Sequence, residues 1–189
     1  MRTVPAVLVV ASLAFVGTMF DNYFAFAAQL IVTDRTRYRR VGWAHSLGVG
    51  SLIAIAAGVG WLLAPIPTRW IGLLVVAPWA LALHAWRHRH DEQRARYKRG
   101  ALTTFTITLA LGGDNLAVWI PLLRANGLWV GIATVAIFAL WEALFVASAM
   151  AIASQRRVVR WGERWGPALV PWIYLGLGVL ILVECRTLS

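Results

Sequence analysis

The chain has 189 residues, of which 60% are hydrophobic and only 14% charged, with a formal net charge of +10. Its apolar residues come in runs that match a bilayer core, which about 20 helical residues cross, so a water-soluble globular domain is excluded as the main architecture. Nucleophile motifs, glycine-rich phosphate loops and zinc-hydrolase spacings are absent, which leaves an enzyme little to stand on.

Six helical spans are expected, because hydrocarbon offers no partner to irregular backbone. The first, 4–32, contains Asp21-Asn22. Arg2, an apolar run and Ala25-Phe26-Ala27 resemble a cleavable signal, but the run continues past that point to Val32, so the span is expected to stay. The second, 41–64, follows Arg35, Arg37, Arg39 and Arg40, carries His45 and ends at the turn Pro65-Ile66-Pro67. The third, 70–86, leads into a basic linker, 87–100, that includes Arg87, Arg89, Arg94, Arg96, Lys98 and Arg99. The fourth, 101–123, contains the stretch LGGDNLAVWIPLL and ends near the turn Ala125-Asn126-Gly127. The fifth, 128–153, carries Glu142; Arg156, Arg157, Arg160 and Arg164 separate it from the sixth, 165–183, in which Pro167 suits a first turn. Trp43, Trp61, Trp70, Trp86, Trp129, Trp161 and Trp165 fall near span ends, as interfacial tryptophans do. The remaining cations are Arg2, Arg69, Arg124 and Arg186, so the positive-inside rule puts both termini outside the cytoplasm. Short basic loops facing anionic lipid also account for the net charge without nucleic acid.

Asp21-Asn22 and Asp114-Asn115 are 93 residues apart (114 − 21), and the same shift lays Pro78-Trp79 on Pro171-Trp172. Two such dipeptides at one offset point to an internal repeat of three spans, 4–86 and 101–183, joined by the linker 87–100. An odd number of spans per unit makes the second unit enter with opposite polarity. The expected fold is therefore an all-α integral membrane protein of six transmembrane helices in two inverted three-helix repeats. Substrate sites of such proteins lie near the midplane where the units meet.

A carboxylate in mid-membrane costs about 2.5–3.5 kcal/mol on insertion scales, so it marks function with a partner. Two neighbouring carboxylates cannot both ionise cheaply; a divalent cation or protons would neutralise them. Asp21, Asn22, Asp114 and Asn115 offer oxygen ligands suited to a divalent ion. Gly112-Gly113 permits close approach to the backbone, and Pro121 leaves a carbonyl near Ala117 without its helical donor. Glu142 and His45 are weaker metal candidates that could instead carry protons or be structural. Gln29 and His84 read as boundary residues, and His88, His90, Asp91 and Glu92 as parts of a topology anchor.

LGGDNLAVWIPLL resembles the fourth-span signature of the CadD-type cadmium-resistance transporters, six-span members of the LysE superfamily. Tyr38-Arg39-Arg40, Leu47-Gly48, Arg69-Trp70 and Tyr174-Leu175-Gly176-Leu177-Gly178 extend the similarity over nearly the whole chain. The resemblance implies efflux of divalent metal from the cytoplasm, with ion-binding acids at Asp21 and Asp114 and Asn115 beside the latter. Members can carry a Cys before the Gly-x-Asp-Asn segment where Leu111 stands here, and the only cysteine is Cys185. A site without thiolate favours harder ions such as manganese or calcium over cadmium. One cysteine also excludes the electron-shuttling chemistry of superfamily relatives.

The function expected is therefore proton-coupled export of a divalent metal across a prokaryotic plasma membrane. The metal is substrate, no cofactor is required, and the chain works alone or as a homo-oligomer. The alternatives are an exporter of a small organic solute such as a basic amino acid, and a membrane accessory subunit.

Overall fold

The computed structural model describes residues 4–67, 70, 72–87, 101–125 and 127–184, and every regular element among them is helical. In chain order these are α1 (Val4–Thr18), α2 (Phe20–Ile31), a 3-10 turn (Arg35–Arg37), α3 (Tyr38–Leu62), a second 3-10 turn (Gly72–Val75), α4 (Val76–Arg87), α5 (Ala101–Leu111), α6 (Gly113–Ala125), α7 (Leu128–Ile152) and α8 (Arg156–Glu184). Most of the linker, with His88, His90, Asp91 and Glu92, lies outside the described residues, as does Cys185.

The expected first and fourth spans are each two helices rather than one. α1 and α2 meet at 53°, α5 and α6 at 60°. Local chemistry explains both breaks. The Thr18 hydroxyl donates back to the Ala14 carbonyl at 2.9 Å and to that of Phe15 at 3.3 Å, a side-chain bond that competes with the helical ladder and bends it. In the second span, Gly112-Gly113 supplies two poor helix formers in succession, and Leu52 of α3 packs where a Cβ on Gly112 would stand. The breaks fall at Met19 and Gly112, which share the offset of the dipeptides, 93 residues (112 − 19).

α3 lies on α5 and α6, and α7 lies on α1 and α2. α2 meets α8 and α6 meets α4, and α4 and α8 pack on each other. At that last contact the Trp79 indole covers Gly178, and Trp86 meets Trp172 at 5.6 Å between ring centroids.

The helices bury polar groups within an apolar core and expose many large apolar side chains, unlike a water-soluble bundle. On α7, Thr134 and Glu142 are buried while Ile132, Leu140 and Leu144 are exposed. Trp43, Trp61, Trp129, Trp161 and Trp165 are exposed as well, the distribution of an interfacial aromatic belt. Two helices, Arg35–Leu62 and Leu128–Ile152, are each long and apolar enough to cross a bilayer, and joining each bent pair raises the number to four. The segments expected to be the third and sixth spans are shorter: α4 has 12 residues, and the apolar part of α8 is Ala168–Val183. α8 starts at Arg156, so the cations 157, 160 and 164 occupy its first turns rather than a loop.

Two tight joints make direct predictions. A Cβ on Gly48 would stand 2.8 Å from both Cβ and Cγ2 of Thr108 on α5, whereas one on Gly58 of the same helix meets nothing within 4 Å. Gly48→Ala should therefore destabilise by about 1–3 kcal/mol through overpacking, while Gly58→Ala should be neutral or stabilising by about 0.5–1 kcal/mol; thermal unfolding in detergent separates them. At the end of α3, Arg124 Nε donates to the Leu63 carbonyl at 3.0 Å, and Nη2 donates to those of Ala64 at 2.6 Å and Ile66 at 2.9 Å. One guanidinium thus ties α6 to three carbonyls of the turn that follows α3. Arg124→Leu is expected to lower stability by about 1–2 kcal/mol, and Arg124→Lys, which lacks the fork, to recover less than half of the loss in the same assay.

Candidate metal site at the two helix breaks

The two breaks meet. Met19 sits between α1 and α2 with 1% of its surface exposed. Its sulfur accepts a hydrogen bond from Asn115 Nδ2 at 3.4 Å and faces Asn22 Nδ2 at 3.9 Å. Both asparagines of the Asp-Asn dipeptides are thereby brought to one atom. One turn beyond Asn115, Trp119 Nε1 donates to the Thr18 hydroxyl at 3.1 Å, and its ring stacks on Phe15 at 5.8 Å and meets Phe138 at 5.0 Å. This buried aromatic wedge pins the end of α1 against α6 and so fixes the distance between the breaks.

Asp114 lies in the first turn of α6, where the helix dipole favours negative charge. Its Oδ1 accepts the backbone N–H of Asn115 at 2.8 Å, and its Oδ2 accepts the phenol of Tyr174 from α8. Asp21 occupies the corresponding first turn of α2, its side chain lying outside the described part; Leu81 stands where the repeat would put a second phenol. Asn115 is 1% exposed, and its Oδ1 has no hydrogen-bond partner among the described residues.

Glu142 and His45 form a separate pair. Glu142 Oε1 meets His45 Nδ1 at 3.0 Å and accepts the Ser46 hydroxyl at 2.9 Å, while Oε2 is buried with no partner among the described residues. The imidazole is held against Phe145 at 5.1 Å and Phe26 at 4.4 Å between centroids. Among the described residues no three His, Cys, Asp or Glu side chains gather as a metal cluster, so this pair does not converge on Asp114.

A cavity of about 20 Å³ lies between α2, α3 and α5, lined by Asn22, Phe26, Gln29, His45, Thr104 and Thr108 among others. It has room for one water molecule or one small ion. Gln29, expected at a boundary, is instead buried and donates through Nε2 to Thr104 Oγ1 at 2.7 Å, tying α2 to α5. His84 is exposed, as expected of a boundary residue. At the end of the molecule that carries Arg37 and Arg40 a wider cleft of about 540 Å³ opens, lined also by Asp34, Thr33, Val41 and Thr103.

The family model for cadmium resistance transporters matches residues 15–189, a stretch that includes both dipeptides and both breaks. The chain belongs to the cadmium resistance transporter family. No curated protein matches, and no solved structure does.

For this cadmium resistance transporter, sequence reasoning overlooked the contacts of Met19 with the two asparagines and of Tyr174 with Asp114. Met19 reads as one more apolar residue, and Tyr174 enters only through the resemblance; the signal within reach was that Met19 falls where Gly112 falls in the repeat, the position at which the fourth span breaks. Sequence reasoning also treated Glu142 and His45 separately, although their helices pack together and make them partners.

Proposed function

We propose that this transporter exports divalent cations, cadmium among them, from the cytoplasm in exchange for protons, through a site formed by Asp21, Asn22, Asp114 and Asn115. The observation that carries the proposal is the meeting of both asparagines at Met19, where two broken helices face each other. Discontinuous helices in corresponding places of two halves are the usual construction of a midplane ion site. The packing of α3 with α5 and α6, and of α7 with α1 and α2, supports an inverted repeat. Three spans per half, with the basic segments on the cytoplasmic side, leave both termini outside in a plasma membrane.

Glu142 and His45 handle protons in this scheme. They bond to each other rather than to Asp114, and the small cavity beside His45 has room for one water as a proton carrier. The cycle runs in three stages. With the basic end open, the aspartates release protons and take the ion; the neutralised site closes and opens outward; protons then displace the ion from the carboxylates.

Purified protein in liposomes with a pH-sensitive dye inside tests this reading. An imposed pH gradient should drive cadmium flux with opposed proton movement, and a panel of basic amino acids should produce none. Cadmium flux absent under every gradient, or amino-acid flux in its place, would overturn the proposal.

A further inference from the structure

We infer that Met19 is a ligand of the transported ion and sets its preference for soft cations, its thioether sulfur joining amide oxygens of Asn22 and Asn115 and a carboxylate oxygen of Asp114. The inference rests on the site proposed above and adds to it the residue that decides which ions it prefers. Three observations point to it.

The first is position. Met19 is buried in the first break, and its sulfur lies between side chains from two different helices, α2 and α6. Met19 belongs to the buried apolar core, yet its sulfur also faces two primary amides. Sulfur is a weak hydrogen-bond acceptor, so the contact of Asn115 at 3.4 Å is a poor use of a buried donor.

The second is the orphaned oxygen. Asn115 Oδ1 has no partner among the described residues although the side chain is buried. An amide's oxygen and nitrogen exchange places by a half-turn that leaves its shape unchanged. Turning Asn115 aims its carbonyl oxygen at the region next to the sulfur, where a cation would satisfy the oxygen that hydrogen bonding leaves unserved.

The third is the donor set. The chain holds one cysteine and three methionines, and among the described residues no cluster of three His, Cys, Asp or Glu exists to bind metal alone. Amide and carboxylate oxygens suit manganese and calcium, whereas a thioether adds affinity for softer ions. Met19 therefore supplies, from the first half of the chain, the soft character that the absence of a thiolate would otherwise deny to the site.

Equilibrium binding of cadmium and of manganese to Met19→Leu, Met19→Cys, Asp114→Asn and the unaltered protein tests the inference. Leucine nearly conserves volume, so Met19→Leu should fold; it should weaken cadmium about tenfold and manganese by less than about threefold. Met19→Cys should restore or exceed the original cadmium affinity. If Met19→Leu leaves the ratio of the two affinities unchanged, whether both persist or both fall together, Met19 is structural and the inference fails. If Asp114→Asn binds cadmium normally, the underlying site is misplaced, a failure seen separately from that of Met19. Selenomethionine-labelled protein provides a direct second readout: cadmium should add a heavy-atom shell to the selenium X-ray absorption spectrum, absent from labelled Met19→Leu. No cadmium shell at selenium would also overturn the inference.

Discussion

Asp114→Asn is expected to reduce metal flux by about 100-fold or more while leaving the fold intact. The substitution keeps the size of the side chain; its single oxygen can accept the Asn115 N–H, while its amide NH2 meets the Tyr174 oxygen as a donor rather than an acceptor. It removes the charge and one of the two acceptors. A lone carboxylate in mid-membrane costs about 2.5–3.5 kcal/mol on insertion scales, and a bound divalent ion would offset that cost, so neutralising the residue removes a ligand charge without unsettling the helix. Thermal unfolding without metal should thus be unchanged or slightly improved, whereas the stabilisation produced by adding cadmium should vanish. Flux and metal-dependent stabilisation both surviving in Asp114→Asn would exclude the residue from the site. Tyr174→Phe removes the phenol that orients Asp114 but not the charge, and about a tenfold loss of affinity is expected, the lower end for residues that hold a metal ligand in place.

Glu142→Gln should separate metal binding from proton coupling. Glu142 does not approach Asp114 among the described groups but binds His45 and Ser46. Glutamine retains the shape and can still accept the Ser46 hydroxyl, so cadmium affinity should stay within about threefold, less than the tenfold that each 1.4 kcal/mol represents. Exchange of external for internal cadmium, which needs no net proton movement, should continue. Net flux driven by a pH gradient should fall by about 100-fold, the upper range for a positioned proton-transfer group. Loss of cadmium binding in Glu142→Gln would instead make Glu142 a metal ligand, and gradient-driven flux at the original rate would remove it from the proton path.

Much of this arrangement can be read from residue order. Run length and the wide spacing of charges mark the helices, because lipid excludes unsatisfied backbone. The two dipeptides stand out because a buried carboxylate is expensive. Their common offset predicts that the halves correspond, and the helix breaks at Met19 and Gly112 fall at that same offset. The bends were harder to foresee. Gly112-Gly113 is a visible weak point, but at Met19 the bend arises from the hydroxyl of Thr18 turning back on its own helix, and threonine within an apolar run gives no such warning. Partnerships across helices were also hidden: nothing local to Tyr174 points to Asp114, nor to Arg124 the carbonyls at the end of α3. They depend on which helix faces meet, and that follows from packing of the whole chain rather than from any one segment.

In the proposed scheme the two dipeptides build one ion site rather than two. Equilibrium dialysis with radioactive cadmium against the unaltered protein, Asp21→Asn and Asp114→Asn measures this directly. One ion per chain should bind to the unaltered protein, and either substitution alone should abolish tight binding, because the carboxylates act on the same ion. Two ions per chain, with one lost in each variant, or full binding retained after either substitution, would contradict a shared site.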